Sequence, residues 1–237
     1  MLRLDKLSIG YGGRVIASDL TAVLPTGTLT ALVGRNGTGK STLLRTLAGL
    51  LQPLAGSVTP RPSAHDVAIV LTTPVGVGAL TVADVVALGR IPHMGLTGRL
   101  HTDDYAAIDR ALELCAIASL RECRIGEISD GERQRTMIAR AIAQDTPIIL
   151  LDEPTAFLDF PTKVATLKLL KELCANGKTI LLSTHDLELT FQLADHLWLL
   201  DRGRLSEGTP RDLAANGRLA ALAADLVFDP YSLRFNL

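Results

Sequence analysis

Aromatic residues are scarce in this 237-residue chain: 4% of positions, with one tryptophan, three tyrosines and five phenylalanines. Hydrophobic residues still make up 47%, so alanine, leucine, valine and isoleucine must fill any core. Cysteine is scarcer, with Cys115, Cys123 and Cys174 only. Three widely spaced thiols exclude a disulfide framework and lack the spacing of zinc ligands. They are expected to be small apolar residues in a reducing compartment. No stretch approaches the ~18 consecutive apolar residues of a membrane-spanning helix. The N-terminus, MLRLDKLSIG, has no long apolar run and no cleavage-site pattern. A cytoplasmic location is therefore expected, with any work at a membrane done by docking on partners. Net charge is also missing, at -1 overall, which argues against a general nucleic-acid grip, since that needs a basic face. Internal repeats and low-complexity linkers are absent too.

What is present alternates between two periodicities. LTALVG (29–34), VAIVL (67–71), PIILLDE (147–153), KTILLSTH (178–185) and HLWLLDRG (196–203) are short apolar runs that read as buried strands. Helical spacing follows several of them, beginning with KSTLLRTLAGL. Strands alternating with helices predict an α/β fold with a mostly parallel sheet. From about 75 to 145 the texture is helical throughout, with Thr102 and Ser129 as expected N-caps. That stretch reads as an insertion into a single domain of residues 1–237, whose core is 1–74 and 146–237. A further helix is expected from Pro161 to Ala175, with Pro161 in its first turn and Gly177 past its end. The last 30 residues carry no clear pattern.

Four segments carry chemistry. GRNGTGKS, Gly34 to Ser41, fills every position of G-x-x-x-x-G-K-[ST], with a strand before it and a helix after it. Backbone N–H groups of such a loop wrap a phosphate, and the helix N-terminus adds positive charge. Lys40 is expected at the β- and γ-phosphates and Ser41 on Mg²⁺. PIILLDEP ends a strand in Asp152, a second Mg²⁺ candidate, followed by Glu153, which could polarise an attacking water. His185 ends another strand, at the edge where ligand crevices open in α/β sheets. Tyr11 could stack on a base or be an ordinary half-buried strand residue. A fifth segment, ISDGERQ (128–134), looks like a phosphate-binding helix start but places Asp130 where an anion site favours glycine.

Taken in order along nearly the whole chain, these segments resemble the ATP-binding subunit of an ABC transporter. GRNGTGKS is similar to Walker A, IILLDE to Walker B with its catalytic glutamate, and ISDGERQ to the helix-start motif usually written LSGGQ. AFLD resembles the D-loop and places Asp159 in it; His185 matches the switch histidine and Tyr11 the adenine-stacking position. The resemblance implies a P-loop NTPase core with a mostly parallel sheet, N-terminal antiparallel strands and an inserted helical subdomain. It implies ATP and Mg²⁺ as cofactors. The nucleotide would be held by Tyr11, Gly34, Asn36, Gly37, Thr38, Gly39, Lys40, Ser41 and Thr42 of one copy. Ser129, Gly131 and Asp159 of a second copy would close over it in a head-to-tail dimer. Glu153 would activate water while Lys40 and His185 hold the γ-phosphate. The implied partners are two transmembrane permease subunits and, indirectly, an extracytoplasmic binding protein, with no nucleic acid. The implied location is the cytoplasmic face of the inner membrane. LTVADVVALGRIPHMG (80–95) is similar, through GR-x-PH, to importers of ferric siderophores, haem and cobalamin. The bland reading of GR-x-PH is a helix followed by a proline-containing turn.

Two departures stand out. The family places a glutamine after the strand VAIVL, bridging metal and transporter interface; spacing puts Thr72 there, a side chain too short for the same reach without water or a backbone shift. In ISDGERQ, Ser129 and Glu132 form a capping-box pattern, and Asp130 suits the positive end of a helix. An acid about 4 Å from a phosphate, however, would cost roughly 4 kcal/mol at an intermediate dielectric. Asp130 is therefore expected to point away from the nucleotide. The alternatives left by the sequence are an exporter or cytosolic assembly ATPase of the same family, and a nucleotide-binding regulator with little turnover.

Overall fold

The structure is a computed structural model that describes residues 1–71, 79–95, 98–222, 227–229 and 233–236. Thr72, the expected metal neighbour, lies outside the described residues. The strands are β1 (Leu2–Tyr11), β2 (Arg14–Leu24), β3 (Leu29–Val33), β4 (Ala55–Thr59), β5 (Val67–Val70), β6 (Ile148–Asp152), β7 (Thr179–Ser183), β8 (His196–Asp201), β9 (Arg204–Gly208), β10 (Val227–Asp229) and β11 (Arg234–Asn236). The helices are α1 (Lys40–Leu47), α2 (Val82–Ala87), α3 (Thr102–Leu114), α4 (Asp130–Ala143), α5 (Phe160–Ala175), α6 (Leu187–Leu193) and α7 (Pro210–Ala215).

Six strands form one sheet in the order β5-β6-β7-β3-β8-β9. All pairs are parallel except β8 with β9, which is an antiparallel hairpin. β3, β6 and β7 are buried at every position, as continuous apolar runs in a two-sided parallel sheet should be. Alternation along each strand then divides the core. Ala31, Ile149, Leu151, Ile180 and Leu182 face one cluster shared with α2, α3, α4 and α5. Leu32, Leu150, Leu181 and Trp198 face a second cluster, shared with α1 and with an antiparallel sheet of order β2-β1-β4. The fold class expected from the sequence, mostly parallel sheet plus N-terminal antiparallel strands, is present.

Between residues 82 and 143 the described elements are helical: α2, a 3-10 segment at Leu88–His93, α3, two further 3-10 turns, and α4. The Ser129 cap holds as expected, its hydroxyl accepting from the Glu132 N–H while the Glu132 carboxylate accepts from the Ser129 N–H at 2.9 Å. The Thr102 cap does not. His101 occupies the cap position of α3 and Thr102 is its first helical residue. The carboxylate of Asp104 takes the His101 N–H at 2.8 Å, so the reciprocal bond from the third helical residue fixes the start one position earlier. α5 is capped by Asp159, carries Pro161 in its first turn, and stops before Gly177 at φ 91°. The C-terminal region that had no clear sequence pattern contains α7 and the two-stranded ribbon β10-β11.

Candidate active site

Three neighbouring strands deliver the chemistry to one edge of the sheet. In register, Leu32 of β3 and Asp152 of β6 both pair with Ser183 of β7. The residues that follow, Gly34, Glu153 and His185, therefore leave the sheet side by side at its carboxyl edge. That edge is where ligand crevices open in parallel α/β sheets.

From β3 the chain turns through residues 34–39 into α1. Gly39 caps this helix at φ 104°, and a Cβ there would lie 2.7 Å from Ile16 Cγ2, so the loop needs glycine for conformation and space alike. Asn36 and Gly37 are exposed, and Thr38 closes the turn with its hydroxyl on the Arg35 carbonyl at 2.9 Å. Lys40 is buried, and its Nζ donates to the carbonyls of Gly34 at 2.8 Å and Arg35 at 3.2 Å. Burial lowers its pKa, and the charges of Glu153 and Asp152 oppose that shift. The ammonium thus lies inside a loop of backbone carbonyls with carboxylates nearby, and a phosphate would be a far better partner than either.

Asp152 is 4% exposed, and one of its carboxylate oxygens accepts from the Ser183 hydroxyl at 2.6 Å. The same hydroxyl oxygen accepts the Glu153 N–H at 3.0 Å. Glu153 has φ 52°, a left-handed conformation uncommon for a non-glycine residue. Its Oε1 lies 2.8 Å from His185 Nε2, with both side chains part-exposed. A carboxylate and an imidazole in contact at the rim of a phosphate loop can orient and deprotonate a water. The described residues hold no group of three or more metal-ligating His, Cys, Asp or Glu side chains. Ser41 and Asp152 instead offer one hydroxyl and one carboxylate. That hard-oxygen pair fits Mg²⁺ carried largely by phosphates and water.

Tyr11 sits at the end of β1 with 43% of its surface exposed. Its hydroxyl accepts from Thr42 Oγ1 at 3.4 Å and Arg45 NH1 at 3.3 Å, and the Thr42 bond foremost lowers its pKa. With Arg14, Val15, Ile16 and Gly37 it lines a recess of about 480 Å³ beside the loop. Ser129, Gly131 and Asp159 line a different recess, of about 510 Å³, together with Phe157, and Asp130, expected to face away from the nucleotide, is among its lining residues. No residue of the 34–42 loop contributes to it. Within one copy the two recesses are thus separate. Asp130 is held by Arg133, whose NH1 donates to its Oδ1 at 2.7 Å. The other guanidinium nitrogens of Arg133 donate to the Ile125 and Ile128 carbonyls at 3.4 Å each. The acid is therefore paired by a cation anchored to the loop leading into α4.

Residues 17–156 match the family described as ABC transporter. The chain belongs to the ABC transporter family. It is 38% identical to the iron(3+)-hydroxamate import ATP-binding protein FhuC of Bacillus subtilis, over 97% of this chain and 91% of that protein. It is 36% identical to the ferric enterobactin transport ATP-binding protein FepC of Escherichia coli, over 98% and 88%. A solved structure described as a metal-chelate type ABC transporter in an inward-facing conformation superimposes with a TM-score of 0.85 at 28% identity. That match covers 99% of this chain and 95% of the other. ATP-binding domains of ABC transporters are ATPases coupled to transport, and this chain carries that domain.

One residue of the candidate site, Ser183, belongs to none of the motifs legible in the sequence. Ser183 holds Asp152 by its hydroxyl and Glu153 by its oxygen, so it sets both acids at once. The available signal was a lone hydroxyl ending the apolar run TILLS, beside the two acids ending its neighbour. No helix among the described residues is long and apolar enough to cross a membrane.

Proposed function

We propose that this chain is the ATP-hydrolysing subunit of an importer for ferric siderophores or related metal chelates. The observation that carries the proposal is the convergence of Lys40, Asp152, Glu153 and His185 on one sheet edge. Similarity over nearly full length to subunits named for ferric hydroxamate and ferric enterobactin transport supports the cargo class. One nucleotide-binding domain spans residues 1–237, with 75–145 as its helical subdomain. Lys40 leaves its carbonyl partners for the β- and γ-phosphates; Ser41 and Asp152 would hold Mg²⁺, which would neutralise charge on the phosphate oxygens. Glu153, oriented by Ser183 and His185, takes a proton from water as that oxygen attacks the γ-phosphorus; ADP leaves with the electron pair of the broken bond. The separate recesses at Tyr11 and at Ser129 support a site completed by a second copy, each ATP lying between the 34–42 loop of one and the 129–131 segment of the other. An ATP that contacts both copies stabilises the closed dimer, and its loss reopens it, which drives two permease subunits from the cytoplasmic face of the membrane.

The test is to purify the tagged chain with its membrane partners, reconstitute them in vesicles, and follow an iron-55-labelled hydroxamate siderophore. ATP supplied on the side of this chain should drive the chelate toward that side. Movement away from it would favour the exporter reading. Absence of any permease partner would favour a cytosolic ATPase or a regulator.

A further inference from the structure

The segment Leu88–His93, which contains GR-x-PH, packs on the far end of α4 from Ser129. The last carbonyls of a helix have no partner within it. At α4 two of them are taken by this segment: Arg90 NH1 donates to Ala143 O at 2.7 Å, and His93 Nε2 donates to Gln144 O at 2.7 Å. Gly89 makes the approach possible, since a Cβ there would lie 2.3 Å from Arg140 O, a backbone atom that cannot swing aside. Arg90 is 8% exposed and its Nε also donates to Asp104 Oδ1 at 2.8 Å. Asp104 in turn accepts the His101 N–H at the start of α3. One ion pair therefore lies between the negative end of α4 and the positive end of α3, where both charges favour their helix. Two more bonds tie the same end of α4 to β5 and the turn before it: Arg140 to Ile69 O at 3.0 Å and Gln144 to Ala64 O at 2.7 Å.

A buried ion pair is not the cheapest route to stability, because well-packed apolar residues often serve as well. A forked guanidinium does fix geometry, because its donors have set directions. α4 is a rod of 14 residues, about 21 Å long at 1.5 Å per residue. We propose that Gly89, Arg90 and His93 are positioning residues for ATP hydrolysis, locking the axial height of α4 and so the placement of Ser129 and Gly131 against the nucleotide of a second copy. This inference rests on the proposed function above. Misplacing reacting or stabilising groups by about 1 Å can lower turnover ~100-fold, so loosening the lock should be read in kcat.

The decisive variant is the apolar pair Arg90→Met with Asp104→Leu, measured in the complete transporter. The lock predicts a fall in kcat of about tenfold, with ATP affinity of the isolated full-length chain within about twofold of wild type, because the 34–42 loop is untouched. Arg90→Lys, which keeps the charge and one donor, should recover at least about a third of the lost rate. His93 is exposed, so His93→Ala tests the lock without burial cost; it should lower kcat about two- to threefold, and His93→Gln, which keeps a donor, should restore it. Wild-type kcat in the apolar pair would overturn the inference. So would a loss of ATP affinity in step with kcat, or failure of both Arg90→Lys and His93→Gln to rescue. If the wild-type complex hydrolyses no ATP, the proposed function falls and the lock with it. If it hydrolyses ATP and these variants match it, only the lock falls.

Discussion

Replacing Asp130 by glycine restores the residue that a phosphate-facing helix start favours, and its effect follows from where the carboxylate is held. Asp130 and Arg133 form an (i,i+3) pair at 2.7 Å, with side chains 67% and 31% exposed. Pairs so open to solvent contribute about 0.3–0.5 kcal/mol. The acid also faces the positive end of α4, contributing about 0.3–0.5 kcal/mol more. Glycine is slightly worse than aspartate within a helix, by roughly 0.3 kcal/mol. The variant should therefore lose about 1 kcal/mol, a fall in Tm of ~2–4 °C for a domain of this size. Turnover is the sharper readout. A carboxylate facing the γ-phosphate at ~4 Å would oppose closure by about 4 kcal/mol, and its removal would raise turnover or nucleotide affinity by two to three orders of magnitude. A carboxylate paired with Arg133 has little left to relieve, so ATP turnover in the assembled transporter should change by less than about tenfold. Asp130→Asn separates charge from backbone effects and should behave alike, while Arg133→Ala, which frees the acid, should lower turnover. A gain of about 100-fold or more in Asp130→Gly would refute the geometry argued here.

Other consequences follow from the same structure. Burial pushes the Cys115 thiol up to about 12 and the Cys174 thiol up to about 11, whereas Cys123 is only half-buried. A thiol reagent at pH 8 should therefore modify Cys123 quickly, and Cys115 and Cys174 only on unfolding. The carboxyl of Asp104 is held below the usual carboxylate range by the His101 N–H and then by Arg90. Its contribution to stability is complete above the unfolded value near 4 and is lost as pH falls through the lower folded value. Denaturant unfolding between pH 5 and pH 3 should accordingly lose less stability in Asp104→Asn than in wild type. Burial lowers the Lys40 pKa, so the charged side chain opposes folding at neutral pH and the penalty is relieved only as pH rises past its folded value. Lys40→Met should leave the nucleotide-free Tm unchanged or slightly higher, yet abolish the rise in Tm that ATP gives to the wild type.

The sequence exposed what local pattern can carry. Continuous apolar runs such as IILLD and TILLS marked central parallel strands because both faces of that sheet are covered. The loop 34–41 announced itself because its glycines, lysine and serine act together over eight consecutive positions. Contacts between distant segments were not legible. Ser183 meets Asp152 across 31 residues, and Arg90 meets Ala143 across 53, so neither role has a local signature. GR-x-PH read as a family mark or a proline turn, whereas the structure gives three of its residues to the end of α4. The cap of α3 slipped by one because Thr102 looked like the better cap, and the reciprocal bond from Asp104 decided for His101. Arg133, the partner that Asp130 required, was four letters from Ser129 but had no role until its guanidinium was seen on the carboxylate.

The proposed mechanism depends on Glu153, set by Ser183 and His185, as the group that activates water. ATP hydrolysis in the reconstituted complex carrying Glu153→Gln, with nucleotide binding measured on the same preparation, isolates that role. A general base of this kind accounts for about 100- to 10,000-fold in rate. Turnover should fall below about 1% of wild type with ATP still bound, and copies of the chain held closed around it. Turnover retained above about a tenth of wild type would show that another group activates the water.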